Sequence, residues 1–552
     1  MGSSNATRDV EAVVIGSGFS GLYMCHSLRD RLGMDVQVFE AGSGVGGTWY
    51  WNRYPGARCD VEAYLYCFSF DKDLLQEWEW SGKFPEQPEI LRYLNHVADR
   101  FDLRRSIQFD TRVTSARYDE AANRWTVATE HGDVVRAKYV IAGMGCLTAA
   151  QVPNIPGRES FGGQSYHTAS WPHEGVDLTG KRVGVIGTGS SGIQSIPTIA
   201  KSADHLFVFQ RTPQFTLPAR HGTVDKAFLD DVKKNYDIII EQAKHSPGGQ
   251  PYKASGRSAL SVSGEERNRI FEEAWERGGF RMVTETFEDL STNRLANDTV
   301  SEFIRAKIRQ TVKDPDVAEK LVPVDHPFTS KRPLIDTNYF ETYNRDNVTL
   351  VDIRHAPIVE ITPTGIRTED AEYALDVIVF ATGFDAVTGA FNKVDIEGRN
   401  GVKLKDKWAD GPLTYLGLAI PGFPNLFTIT GPGSPAVLAN VPVAIEQHVE
   451  WITDLIRFMR DDDLDVVEAT ETAAKEWTAL VGKLAERTIY MLADSWYSGA
   501  NTPGKPVVFM MYPAGFNTYR DECDAIAADS YRGFAVSRAG QPAASRESVG
   551  LH

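Results

Sequence analysis

EAVVIGSGFSGLYMCHSLRD, residues 11–30, joins a short apolar run to a glycine-rich turn and then to a stretch of helical spacing. KRVGVIGTGSSGIQSIPTIAKSA, residues 181–203, repeats the plan. Both turns read G-x-G-x-x-G, with Gly16, Gly18 and Gly21 in one and Gly187, Gly189 and Gly192 in the other. Glycine-rich turns are common, and it is the strand before and the helix after that give these two meaning. The first glycine makes the tight turn, the second lets backbone approach a pyrophosphate, and the third lets helix pack on strand. The helix N-terminus then favours the negative charge. A third strand–glycine junction, DVIVFATGF, spans residues 376–384. This alternation predicts an α/β chain with parallel sheets.

Twenty-four residues beyond Gly16 lies Glu40, and twenty-four beyond Gly187 lies Arg211. Both fall at the end of the second strand of their units, where this fold meets the adenosine ribose. A carboxylate there accepts hydrogen bonds from the ribose hydroxyls. A guanidinium there holds a 2′-phosphate instead. The first site is thus predicted to take FAD or NAD and the second NADP, a pairing that implies electron transfer from NADPH to a flavin. The competing reading of Arg211, a solvated strand-end arginine, leaves the matching offset unexplained. The fold expected is two Rossmann-like dinucleotide-binding domains, for FAD and NADP, with a helical insertion.

The 552 residues allow roughly three or four units of about 150 residues. A net charge of −16 argues against a broad nucleic-acid surface. The five cysteines are irregularly spaced and form no C-x2-C or C-x4-C pair, which fits a reducing cytosol and speaks against a redox disulfide. No HExxH or similar spacing exists, and no metal is expected. The start of the chain has no signal-peptide pattern, and no window approaches the ~20 apolar residues of a spanning helix. A cytoplasmic protein without membrane partners is expected. The boundaries read as follows: FAD domain 1–145, NADP domain 146–215, helical insertion 216–325, NADP domain again 326–375, FAD domain again 376–535, flexible tail 536–552. Within the insertion, SPGGQPYKASGRSALSVSG, residues 246–264, reads as a polar loop.

Two longer patterns add specificity. FGGQSYHTASWP, residues 161–172, reads F-x-G-x-x-x-H-x-x-x-W-P, and GGTWYWNRYPGARCD, residues 46–60, reads G-G-x-W-x-x-x-x-Y-P-G-x-x-x-D. Both resemble fingerprints of the type I Baeyer–Villiger monooxygenases, as do SKRPLIDTNYFETYNRDNV (330–348), DVIVFATGFDAVTG (376–389), FPNLFTITGPGSP (423–435) and DSWYSGANTPGKP (494–506). The likeness covers nearly the whole chain and is nearest the cyclohexanone, phenylacetone and steroid monooxygenase group. It implies that NADPH reduces bound FAD, that dioxygen forms a C4a-peroxyflavin, and that this attacks a ketone to give an ester or lactone. The partners it implies are a small ketone and O2, with the protein a monomer or weak homo-oligomer. The alternative is a related flavin monooxygenase acting on nitrogen or sulfur; Trp171 and Arg332 favour ketones. A disulfide reductase lacks its cysteines here, and a nucleotide-sensing module would need no Arg332–Asp60 pair.

By the same resemblance Arg332 is the active-site cation and Asp60 its partner near the flavin. A peroxide anion needs a permanent, rigid donor fork, which arginine supplies. The cofactor contacts implied are Gly16, Gly18, Ser20, Gly21, Glu40, Thr48, Trp49, Asp60, Tyr66 and Val113 for FAD. For NADP they are Thr188, Gly189, Ser190, Ser191, Gly192, Gln194, Arg211, Thr212, Lys331, Arg332 and Trp496, the last from a mobile loop. Bare of the motifs, Tyr66, Val113 and both tryptophans read as core. A buried Trp needs a partner for its N–H, and a cofactor could provide it. His167 is read as a junction residue between domains rather than a general base, packed with Phe161, Gly163 and Trp171. Gly383 is expected to bring backbone near the flavin, and Ser434 to Val441 to border the substrate pocket.

Overall fold

The computed structural model describes residues 8–538 and 544–545. Two sheets, one mixed with a parallel centre and one wholly parallel, organise the chain. The first places Val36–Phe39 and then Ile107–Gln108 on one side of Arg8–Ile15, and Val134–Ala142 on the other. Leu426–Thr428 pairs in parallel with Val134–Ala142. An antiparallel ribbon, Val113–Asp119 with Arg124–Thr129, widens this sheet, and Asp395–Glu397 closes its edge. The second sheet is wholly parallel: Val348–Asp352, His205–Gln210, Arg182–Ile186, Val377–Phe380, Gln164–His167.

The apolar runs become central strands because both faces are covered. Ala12 to Val14 are wholly buried, as are Val183, Val185 and Val208. Strands buried on both sides have no polar face to show, hence their continuous rather than alternating hydrophobicity. Burying each of these valines contributes roughly 1.5–3 kcal/mol. Helices follow the glycine turns as expected, Phe19–His26 in the first unit and Ser190–Ile199 in the second.

Two sequence boundaries need correction. The run 377–380 was expected to open the return to the first unit. It pairs instead with Arg182–Ile186 and Gln164–His167, in the second sheet. The return starts just after it. There Phe384–Asp385 runs antiparallel to Ala149–Ala150, so the outgoing and returning connections are bonded to each other. The tail was expected from 536, yet Val536 and Ser537 belong to a strand, Phe534–Ser537, paired with Val466–Ala469, and Ala544–Ser545 pairs on its outer side. Residues 539–543 and 546–552 of that expected tail lie outside the described residues.

Between the two sheets' excursions lie helices Lys226–Lys244, Gly264–Arg277, Arg294–Thr311 and Pro315–Leu321, the first, second and fourth capped by Asp225, Ser263 and Asp314 accepting helix amides, and the third by Asn293. A two-stranded parallel pair, Thr216–Pro218 with Leu334–Asp336, ties the start of this block to its end. It sets Arg211–Thr212, just before one strand, beside Lys331–Arg332, just before the other. Among the described residues no helix is long and apolar enough to cross a membrane.

Candidate active site

Each glycine loop is fixed by what a side chain would strike. A Cβ at Gly21 would fall on the Gly16 carbonyl oxygen, and one at Gly192 on that of Gly187. Gly16 and Gly187 take φ of +100° and +108°, closed to most side chains, and a Cβ on them would come within 2.6 Å of Gly143 O and 2.5 Å of Ala381 O.

In the first loop Glu40 is 4% exposed. Its carboxylate accepts from the Ser17 amide at 2.8 Å, the Ser17 hydroxyl at 2.9 Å and the Gly42 amide at 2.8 Å. The GGTWY segment lies across this loop: the Gly46 amide donates to Ser17 O at 3.0 Å, and a Cβ on Gly18 would stand 3.3 Å from the Gly47 Cα. Thr48 is exposed at the head of the turn Thr48–Trp51, and Ser20 is buried behind the loop. Trp49 is buried, and its indole N–H donates to the Tyr66 hydroxyl at 3.2 Å, with the rings edge to face at 5.7 Å. The partner expected from a cofactor is thus supplied by the protein. Val113 packs in the first sheet's core with Tyr118, Trp125 and Val127.

The second loop is open. Gly189 is exposed, and a Cβ there would meet nothing within 4 Å. Thr188 donates to Thr212 O at 3.0 Å, which links the loop to the strand end. Arg211 is exposed and has no hydrogen bond or ion pair among the described residues. Lys331 donates to Asp494 O; burial pulls its ammonium below the usual value, Asp325 and Asp494 push it up, and Arg211 lowers it further. Two cations brought together beside a threonine hydroxyl make a seat for an anion.

Asp60 and Arg332 meet where these parts converge. Arg332 Nε and Nη2 both donate to Asp60 Oδ2 at 3.3 Å, and Nη1 donates to Val437 O at 2.9 Å. Gln194, on the helix of the second loop, donates to Asp60 Oδ1 at 3.3 Å and to Arg58 O at 3.1 Å, and accepts from the Tyr54 hydroxyl at 2.8 Å. Gly56, at φ +84°, allows this docking, because a Cβ there would fall on Gln194 O. The Y-P-G fingerprint is therefore the face on which the second loop's helix rests. Burial pushes the Asp60 carboxyl up, and Arg332 brings it only part of the way back. The Phe280 ring lies 5.5 Å from the guanidinium carbon, and Tyr497 is close enough for Arg332 to counter part of the rise that burial gives its hydroxyl.

Phe280 and Tyr497 were not singled out from sequence, and Val437 only as part of the 434–441 stretch. Tyr497 sits inside a quoted motif; Phe280 follows two glycines in the insertion and carries no local signal. Trp496 packs against Tyr497 at 4.7 Å and borders two small apolar clusters with Cys146. His167 Nδ1 accepts from the Ala169 amide at 3.0 Å, so its proton is on Nε2, directed to Thr382 Oγ1 at 3.3 Å. Thr382 in turn donates to Gln151 O at 2.6 Å, which puts His167 at the paired connections between units and far from the roles of an acid or base. Trp171 is buried against Tyr166 in the second unit's core. Phe161 packs against the other face of that sheet, and a Cβ on Gly163 would strike Asp376 O. Gly383 has φ +80° with open space on its Cβ side.

The donors and openings on both loops fit two dinucleotides. Residues 10–225 match the flavin-binding monooxygenase-like family. A Baeyer–Villiger monooxygenase of Pseudooceanicola batsensis is 48% identical over 95% of this chain and 95% of its own. Among solved structures, an oxidized steroid monooxygenase bound to NADP is 50% identical, with a TM-score of 0.92 over 96% of this chain and 100% of that one. The structure of OTEMO in complex with FAD and NADP is 44% identical, with a TM-score of 0.93 over 96% and 100%.

Proposed function

Because this chain belongs to the type I Baeyer–Villiger monooxygenases, and is an FAD- and NADPH-dependent enzyme that inserts one oxygen atom from O2 beside a ketone carbonyl, we propose that Arg332, held by Asp60, is its active cation. The observation that carries this reading is the half-buried Arg332–Asp60 pair, bonded to the second loop's helix through Gln194.

When bound, the flavin and NADPH together supply the electrons and the activated oxygen. Gly16, Gly18, Ser20 and Gly21 would line the flavin nucleotide's pyrophosphate, and Glu40 its ribose. Thr48, Trp49, Asp60, Tyr66 and Val113 would complete that site. Thr188 to Gly192 and Gln194 would line the NADP pyrophosphate, with Arg211, Thr212 and Lys331 on the 2′-phosphate and Trp496 closing over it. Arg332 would offer N–H groups toward the negative charge carried by the attacking oxygen before attack and toward the charge that then develops on the former carbonyl oxygen. A guanidinium stays charged when buried, and in a site poor in water each such donor is worth far more than in solvent. Asp60 and Val437 O fix two edges of the fork, so its orientation costs nothing at the moment of reaction. Phe280 and Tyr497 wall it with aromatic surface, and Trp496 packs against Tyr497.

The remaining expectations stand as parts of the same reading: a cytoplasmic monomer or weak homo-oligomer, free of nucleic-acid and membrane partners. The net charge of −16 and five free thiols support it, and sedimentation of the holoenzyme tests the oligomer. The reaction is tested with a panel of cyclic, aromatic and linear ketones, following NADPH oxidation and identifying products. Arg332→Ala is expected still to reduce its flavin with NADPH yet form no ester. Ester formation at the wild-type rate overturns the assignment, and N-oxides or sulfoxides as the main products of the wild type overturn the ketone reading.

A further inference from the structure

The segment that carries Asp60 carries a second acid, Glu62, two residues on and 5% exposed. Its carboxylate is ringed by donors: Arg281 Nη1 at 2.7 Å, the Tyr64 hydroxyl at 2.9 Å, the Tyr252 hydroxyl, and Lys83 Nζ at 3.5 Å. The Arg281 guanidinium also lies 4.7 Å from the Tyr252 ring centre. Burial pushes the Glu62 carboxyl up, and Arg281 above all brings it below its usual value, so it is an anion locked to a cation.

Tyr64 and Lys83 belong to the first unit, whereas Tyr252 and Arg281 come from the insertion. Tyr252 lies in the polar loop 246–264, which its ring anchors to the first unit. Arg281 ends the turn Gly278-Gly279-Phe280-Arg281. Gly278 and Gly279 take φ of +69° and +67°, the Gly279 amide donates to Pro218 O at 2.9 Å, and a Cβ on Gly278 would come within 2.5 Å of that same oxygen. The turn is thus held at both ends, by Pro218 and by Glu62, and its middle residue is the Phe280 that covers Arg332. Two adjacent carboxylates therefore act on one place from two sides. Asp60 holds the guanidinium directly, while Glu62 holds the turn that brings an aromatic ring to it.

We propose that Glu62 and Arg281 are positioning residues for the oxygenation, their ion pair fixing the 278–281 turn so that Phe280 stays over Arg332 and sets its orientation. The proposal rests on Arg332 being the active cation. A displacement of about 1 Å at a reacting group can cost about 100-fold in rate.

The experiment is a double-mutant cycle in the FAD-loaded enzyme, with Arg281→Met and Phe280→Ala made singly and together. Arg281→Met is expected to lower kcat/KM for ester formation by roughly tenfold or more and to lower the ester formed per NADPH consumed. Anaerobic reduction of the flavin by NADPH should keep its rate, which a general loss of structure would not allow. In the Phe280→Ala background, adding Arg281→Met should change ester formation less than twofold, because the ring it positions is gone. Full additivity, or an unchanged ester yield in Arg281→Met, overturns the proposal. Should Arg281→Met yield no folded flavoprotein, Glu62→Gln keeps the side-chain volume and removes only the charge; the same loss of ester per NADPH is expected, and an unchanged yield again overturns it. Arg332→Ala separates the two readings: if it still makes ester, the active cation is misassigned, whereas if it makes none and the cycle is additive, only the Glu62–Arg281 role fails.

Discussion

The two glycine loops share a motif and differ in what lies over them. The first is roofed by the 46–49 segment, and its ribose-end acid is buried and already holds three protein donors. The second presents Gly189 to open space, and its ribose-end arginine is exposed and unpaired among the described residues. The same backbone geometry thus occurs once with a protein segment packed over it and once open at its second glycine. What separates the two is the segment packed on the loop and the sign of one charge at the strand end.

Alanine in the two loops should break this comparison most sharply. At Gly21 a Cβ would fall on the Gly16 carbonyl oxygen, so Gly21→Ala must open the turn between strand and helix. The purified variant is expected to lack flavin absorbance and all NADPH oxidation. Gly189→Ala puts its methyl into open space, so the protein should keep its flavin and its melting temperature, with only KM for NADPH raised. Equal flavin content in the two variants would show that the loops are not built differently.

The next effect is confined to the second loop. Arg211→Ala removes a guanidinium with no protein partner among the described residues, so little stability should change. A charge-assisted hydrogen bond contributes roughly 1.5–3 kcal/mol, or about 10- to 150-fold in binding. KM for NADPH should rise by that factor while KM for NADH stays within about twofold. Parallel losses for both nucleotides would mean that Arg211 touches something other than the 2′-phosphate.

Much of this contrast can be read from the chain. The offset from first glycine to strand end is set by strand–turn–helix–strand geometry, so Glu40 and Arg211 were found by counting. Arg332 and Asp60 came from resemblance to known motifs. What could not be read depends on distant segments meeting. Gln194 was expected as a nucleotide contact, but that its side chain also spans to Asp60 could not be read, because it depends on Gly56 letting two units approach closely. Phe280 has no periodicity to mark it. The run 377–380 is plainly a strand by its β-branched residues, yet composition does not say which sheet it joins. Val536 and Ser537 form a strand only because Val466–Ala469 offers an edge.

The last effect leaves turnover alone and tests whether the second region behaves as one body. Asp336 ends the strand paired with Thr216–Pro218, so it bonds the segment after Arg211 to the segment after Arg332. Its carboxylate accepts from the Thr216 hydroxyl and, at 3.3 Å, from the Tyr339 amide, and burial raises its pKa to about 6. In the unfolded chain the group titrates near the ordinary value of 3.8. Between about pH 4 and pH 6 the folded protein therefore holds more protons than the unfolded one, and stability falls as pH rises through that window and is level above it. About two pKa units at about 1.4 kcal/mol each bound the loss at roughly 3 kcal/mol. Asp336→Asn keeps an acceptor for Thr216 and cannot ionise. Its melting temperature should gain on the wild type's as pH rises from 4 to 6, by a few degrees in all, with flavin content and KM for ketone unchanged. If the two proteins show the same pH profile, the buried carboxylate is not what loosens this bridge. If flavin content also changes, the bridge is not confined to the second region.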